Sequence, residues 1–142
     1  MIDYRTGNDI DLDEMIELYV DSTLGERRPV EDRERMGRML EEANLVITAW
    51  EGGALVGISR SITDWVYCTY LSDLAVRPAY QGHGIGRELI RLTREATPQA
   101  SVILLAAPKA VDYYPKVGMT RHDSAWVLRP GEFPSNPPAP AR

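Results

Sequence analysis

Apolar positions recur along the chain with two different periods, and the switches between them predict its elements. Leu12, Met15, Ile16 and Tyr19 fall at i, i+3, i+4 and i+7, a helical stripe with Asn8 or Asp9 available as its cap. Met36, Met39, Leu40 and Ala43 predict a second helix after a polar loop from Ser22 to Pro29. A short strand, Ile2 to Arg5, precedes both. The period then changes. Leu45 to Trp50 and Ala54 to Ile62 are β-leaning segments joined by Glu51-Gly52-Gly53, a hairpin signal, and Val66 to Val76 continues the meander after Thr63-Asp64. Hairpin-linked strands imply an antiparallel sheet.

Beyond Val76 the helical period returns, with Ile85, Leu89, Leu92 and Ala96 on one stripe, ended by Thr97-Pro98. Ser101 to Ala107 is almost wholly apolar, as expected of a strand buried on both faces. Ala110 to Tyr114 predicts a short helix stopped near Pro115, and Met119 to Leu128 predicts one or two last strands. The expected fold class is mixed α/β: a mostly antiparallel sheet with flanking helices. The boundaries expected are one domain over residues 1–129 and a Pro-rich, disordered tail over 130–142.

Composition narrows the function classes. With 142 residues, 44% hydrophobic and 26% charged, the chain suits one globular core. No stretch approaches the roughly 20 apolar residues of a membrane helix, and Met1 to Arg5 has no signal-peptide pattern, so a cytoplasmic location is expected. A net charge of −5 argues against nucleic acid as a partner. The single cysteine, Cys68, and two distant histidines, His83 and His122, offer no metal-ligand spacing, so no metal is expected.

The chemical signal lies between Leu71 and Leu92. A strand runs into a loop with Gly82, Gly84 and Gly86, and the loop opens a helix. A helix N-terminus carries unpaired N–H groups and a partial positive charge, and glycines let backbone approach an anion closely. Together they form a seat for a pyrophosphate. Arg87 in the first turn opposes the helix dipole, and a bound phosphate would compensate it. A P-loop needs Gly-Lys-Ser/Thr where this chain has Gly86-Arg87-Glu88; a dinucleotide fingerprint needs another glycine spacing.

The loop Gln81-x-x-Gly84-x-Gly86, following Leu74-Ala75-Val76, resembles the acyl-CoA signature of the GNAT superfamily of N-acetyltransferases. Tyr113-Tyr114-Pro115-Lys116-Val117-Gly118-Met119 is similar to that superfamily's second signature. The resemblance spans roughly residues 2–128. Ala107 stands where many members have asparagine, Pro115 replaces a common acid, and Met119 the usual phenylalanine. The resemblance implies a fourth strand splayed from the fifth, forming a parallel pair that holds acetyl-CoA as cosubstrate, with a bulge near Asp73-Leu74-Ala75. It implies a cofactor site of Leu74, Ala75, Val76, Gln81, Gly82, His83, Gly84, Ile85, Gly86, Arg87, Ala110 and Tyr113. It also implies Tyr114 as the acid that protonates the departing thiolate.

Asp73 is the second catalytic candidate. A carboxylate in an otherwise apolar strand must be paired or used, so Asp73 is read as a base or amine anchor, or as a hydrogen-bonded bulge residue. Tyr70 and Ser72 fall on the alternate face of a regular strand. Cys68 is expected to be a small buried hydrophobe rather than a nucleophile. The expected activity is transfer of acetyl from acetyl-CoA to an amine in a ternary complex, with a small-molecule acceptor favoured. The alternatives are a non-catalytic acetyl-CoA sensor and a nucleotide-binding enzyme. A homodimer is compatible with the resemblance.

Overall fold

The structure, a computed structural model, describes residues 1–132. The chain divides into two compact units, Met1–Leu105 and a second beginning at Ala106. The first holds a five-stranded sheet in the order β1 (Ile2–Thr6), β2 (Leu45–Glu51), β3 (Ala54–Thr63), β4 (Cys68–Val76), β5 (Ser101–Ile103). Pairing is antiparallel from β1 to β4, whereas β4 and β5 run parallel. The expected fold class is therefore the observed one.

Helices α1 (Leu12–Asp21) and α2 (Arg33–Glu42) lie in the β1–β2 connection. Asp11, rather than Asn8 or Asp9, caps α1 by accepting from the Glu14 N–H at 3.1 Å. Asn8 instead donates to the carbonyls of Leu40 and Glu41 at the end of α2. Asp32 caps α2 through the Arg35 N–H. Met15, Leu18 and Tyr19 of α1 meet Met36 and Leu40 of α2, together with Val46, Ile58 and Ala75 of the sheet, in one core.

Helix α3 (Ile85–Ala96) covers the opposite face of the sheet. Ile85 and Leu89 pack there with Leu45, Ile47, Ala49 and Val56, flanked by Leu74 and Val76. Gly57 permits the close approach: a Cβ there would lie 3.1 Å from Ile85 Cγ2 and 3.3 Å from Leu89 Cδ1. The helix start is thereby pinned over the sheet.

β4 has one irregularity that governs the site. Ser61 pairs with Leu71 and Arg60 with Asp73, so Ser72 is an extra residue, a β-bulge. Adjacent Arg60 and Ser61 face opposite sides of the sheet, so Leu71 and Asp73 do as well. Leu71 lies on the α3 side; Asp73 and Ala75 lie on the α1–α2 side. Tyr70 pairs with Ile62 and shares the face of Arg60 and Asp73. This corrects the strictly alternating reading, which set Tyr70 and Asp73 on opposite faces.

Two expectations fail at the end of the chain. β5 has three residues rather than seven, with Ile103 exposed, because only β4 flanks it in the sheet. In the second unit, a 3₁₀ turn (Pro108–Ala110) precedes α4 (Tyr113–Lys116), and residues 119–128 form no strand. Polar Thr120 to Ser124 instead make a local turn in which His122 Nδ1 accepts from the Ser124 N–H at 3.3 Å. Pro115 lies within α4, which ends one residue later at Lys116, near the expected stop; a first-turn proline lacks only an N–H that would be unpaired there. Of the expected tail, Pro130 and Gly131 form a turn, and residues 133–142 fall outside the described residues.

Candidate functional site

The glycine loop forms a candidate anion seat, open at the start of α3. Gly84 is the N-cap at φ 83° and no side chain caps the helix. The Glu88 N–H makes the first intrahelical bond, to the Gly84 carbonyl at 3.0 Å, so the N–H groups of Ile85, Gly86 and Arg87 precede the helical ladder. Gly82 is also left-handed, at φ 82°, and a Cβ on either glycine would meet nothing within 4 Å. Space and donors coincide. Gln81 Nε2 donates to the Val76 carbonyl at 2.9 Å, tying the loop to the end of β4, and His83 Nδ1 lies 3.2 Å from the Tyr80 carbonyl. Gln81, Gly82, His83, Gly84 and Arg87 are exposed, whereas Ile85 is buried in the α3 core. Glu88 is turned toward Arg91, with which it forms an ion pair, so the first-turn acid leaves the seat's charge in place.

Beside the seat, the β4–β5 pair opens. β5 pairs only with Cys68, Thr69 and Tyr70, and β4 continues six residues farther, to Val76. The pairing stops two residues before the bulge at Ser72. Leu74, Ala75 and Val76 thus have β3 on one edge and no strand on the other within this unit. Such an edge presents N–H and C=O groups to an extended ligand. The bulge lies just N-terminal to its expected position.

Asp73 is the centre of a buried cluster. Oδ1 accepts from Arg28 Nε at 2.6 Å and from Ser72 Oγ at 3.1 Å. Oδ2 accepts from Arg60 Nε at 2.5 Å and from the Tyr19 hydroxyl at 2.6 Å. Burial alone would raise the Asp73 pKa, but the hydrogen bond and charge of Arg60, the charge of Arg28 and the Tyr19 hydrogen bond prevail and hold it below the ordinary carboxylate value. Burial, with the adjacent carboxylate, pushes the Tyr19 phenol well up, so it remains a neutral donor. Four donors occupy the lone-pair sites of this carboxylate. With these sites filled, Asp73 is a hydrogen-bonded hub at the bulge.

Sequence reasoning missed Tyr19, Arg28 and Arg60. One signal was visible: Arg60 is a cation within a strand that otherwise reads as core, and Asp73 is an anion within another. Their pairing depends on register, which the bulge shifts.

Cys68 is exposed rather than buried, and its N–H is one of three donated to Asp64 Oδ1 in the β3–β4 turn. In the second unit, Tyr114 is half-buried in α4, and its ring meets Tyr113 edge-on at 5.2 Å. The Tyr114 carbonyl accepts from the N–H groups of Val117 and Met119, and Gly118 closes the helix at φ 97°. Ala110 ends the preceding 3₁₀ turn, whose N-cap, Ala107, supplies no side-chain bond.

Residues 12–119 match the model of the Acetyltransferase (GNAT) family. An uncharacterized N-acetyltransferase, ycf52-like, from Prochlorococcus marinus is 28% identical over 133 residues, covering 89% of this chain; the match spans 66% of that relative's length. Among solved structures, a GNAT-family acetyltransferase from Streptococcus pneumoniae superposes with a TM-score of 0.73 at 25% identity, covering 91% of this chain and 99% of the other. An aminoglycoside acetyltransferase from an uncultured soil metagenomic sample shares the fold, with a TM-score of 0.67, 21% identity and coverage of 90% and 94%.

Proposed function

The chain belongs to the GNAT family of acetyltransferases, and from that premise we propose that it transfers acetyl from acetyl-CoA to the nitrogen of a small-molecule amine, by direct attack in a ternary complex. The observation that carries the reading is the junction of two features in one unit. The α3 N-terminus has no side-chain cap, and the β4 edge beside it has no strand partner among the described residues. A pyrophosphate suits the first and an amide-bearing arm suits the second. In this reading Gln81, Gly82, His83, Gly84, Ile85, Gly86 and Arg87 receive the phosphates, and Leu74, Ala75 and Val76 line the arm. Ala110 and Tyr113 complete the cofactor set by their match to the family signature.

Acetyl-CoA supplies an activated acetyl thioester. The chain's residues then have three tasks. A β4 backbone N–H near the bulge stabilises the negative charge that develops on the thioester oxygen. The acceptor amine, whose free pKa is roughly 10, must lose a proton to attack. Water takes that proton in this scheme, because every lone-pair site of Asp73 is engaged. Tyr114 donates a proton to the departing thiolate. Asp73 acts as a positioning residue that holds Arg28 and Arg60 against the bulge.

Calorimetric titration with acetyl-CoA, followed by thiol release with a panel of amines, tests the proposal. Binding with amine-dependent release supports it. Binding with no release from any amine favours an acetyl-CoA sensor, a reading to which the engaged carboxylate lends support. Absence of binding overturns both.

A further inference from the structure

The Asp73 cluster carries more positive charge than it neutralises. Two guanidiniums, Arg28 and Arg60, face one carboxylate, and Tyr19 contributes a neutral hydroxyl. Among the described residues, neither arginine has a second acidic partner; Glu26, on the adjoining 3₁₀ turn, pairs with neither. The cluster is shielded from water: side-chain exposure is 0% for Asp73, 7% for Arg60 and 18% for Arg28. A surplus charge held in such surroundings is unfavourable unless something compensates it.

Donor bookkeeping points the same way. A guanidinium has five N–H donors. Arg28 uses Nε on Asp73, Nη1 on the Arg27 carbonyl at 2.8 Å and Nη2 on the Ser72 carbonyl at 2.7 Å. One N–H on each Nη remains. Arg60 similarly spends Nε on Asp73, Nη1 on the Met39 carbonyl and Nη2 on Ser72 Oγ. Arg28 is the more exposed of the two and follows the turn Leu24–Arg27, which packs on β4. Its guanidinium is pinned to the bulge residue, beside the point where β4 and β5 part. Tyr70 and Ile62, both exposed, lie on the same sheet face.

We propose that Arg28, anchored by Asp73 and Ser72, is an anion subsite for the acceptor, and that the acetylated amine also carries an oxyanion, a carboxylate or a phosphate monoester. The inference rests on the acetyltransferase reading. The ligand's negative charge balances the cluster's surplus, and the two remaining N–H groups of Arg28 receive its oxygens. The arginine selects the acceptor and takes no part in proton transfer.

The test uses matched amines that differ in the anionic group: tyrosine against tyramine, lysine against cadaverine, and phosphoethanolamine against ethanolamine. Acetyl-CoA binding is measured first, for the wild type, Arg28→Gln and Arg28→Lys. The expected result is a preference of about tenfold or more in kcat/KM for the anionic member of at least one pair. The carboxylate and phosphate pairs tell the two oxyanion sources apart. Arg28→Gln should abolish that preference, and Arg28→Lys should retain part of it, with acetyl-CoA affinity unchanged in both. A role confined to folding would lower both members of a pair together and leave their ratio intact. Equal turnover within every pair, preference for the neutral members, or acetyl-CoA binding without acetylation of any member overturns the subsite. Failure of the wild type to bind acetyl-CoA overturns the acetyltransferase reading itself.

Discussion

Asp73 accepts from four donors and pairs with two arginines at the bulge of β4. Replacing it with asparagine keeps the shape but leaves the buried Arg60 and the partly buried Arg28 guanidiniums without a counter-charge. Asp73→Asn should destabilise the protein by about 3–5 kcal/mol, the usual loss when one partner of a buried ion pair is removed; urea unfolding followed by circular dichroism checks this. The pH dependence has a definite sign. The folded-state pKa of Asp73 is below its ordinary value, so its stabilisation is fully present above the unfolded pKa, about 3.9. It is lost as pH falls below that value through the folded one. Wild-type stability should therefore drop on acidification below about pH 4, and Asp73→Asn should show a shallower drop over the same window. Gly84 is restricted by its backbone rather than by neighbours, being left-handed with open space where a Cβ would sit. Gly84→Val places a branched side chain both in a strained conformation and in the anion seat. It should remove measurable acetyl-CoA binding in calorimetry while leaving the far-ultraviolet spectrum unchanged. Tyr114→Phe should lower kcat by roughly 10²-fold or more with acetyl-CoA affinity retained, the pattern expected of a general acid.

Among the elements, β4 joins the framework to the proposed chemistry. Its first three residues pair with β5, and its remainder does not. The break falls after Tyr70, two residues before Ser72, where the bulge bends the strand and adds twist. Deleting Ser72 would bring Leu71 and Asp73 into succession, still on opposite faces, so both cores would remain as they are. The bend, and the Ser72 carbonyl that anchors Arg28, would be lost. The deletion variant should fold cooperatively, yet bind acetyl-CoA about tenfold more weakly or worse, because a straight β4 closes on β5. Loss of folding together with binding would mean that the bulge serves the core instead. α3 complements the strand: its apolar stripe and Gly57 hold its N-terminus in place, so the seat is fixed by packing on the sheet.

For the molecule as a whole, ligand binding should register as stability. A ligand that binds only the folded state stabilises it by about 2.7 kcal/mol at 100 times its Kd, which for a chain of this size raises Tm by roughly 5–10 °C. Acetyl-CoA should produce a shift of that order in a thermal melt, and Gly84→Val should abolish it. A net charge of −5 does not describe the proposed acceptor region. There, two arginines oppose one aspartate, and an overall acidic balance hides a locally positive surplus.

Helices α1, α2 and α3, the antiparallel meander and the glycine loop were all legible in the sequence, because each depends on contacts near in the chain: apolar period, turn residues and the need for positive φ at Gly82 and Gly84. So was the family, since both signatures are contiguous. The partners of Asp73 were not. Tyr19, Arg28 and Arg60 lie 54, 45 and 13 residues away, and only the sheet register brings them together. That register contains a one-residue bulge at Ser72, and a shift of one residue in a strand exchanges its faces. Strict alternation sets Leu71 and Asp73 on one face, whereas the tertiary structure separates them. The length of β5 and the absence of strands over 119–128 were decided in the same way, because a strand exists only where another chain segment completes its hydrogen bonds.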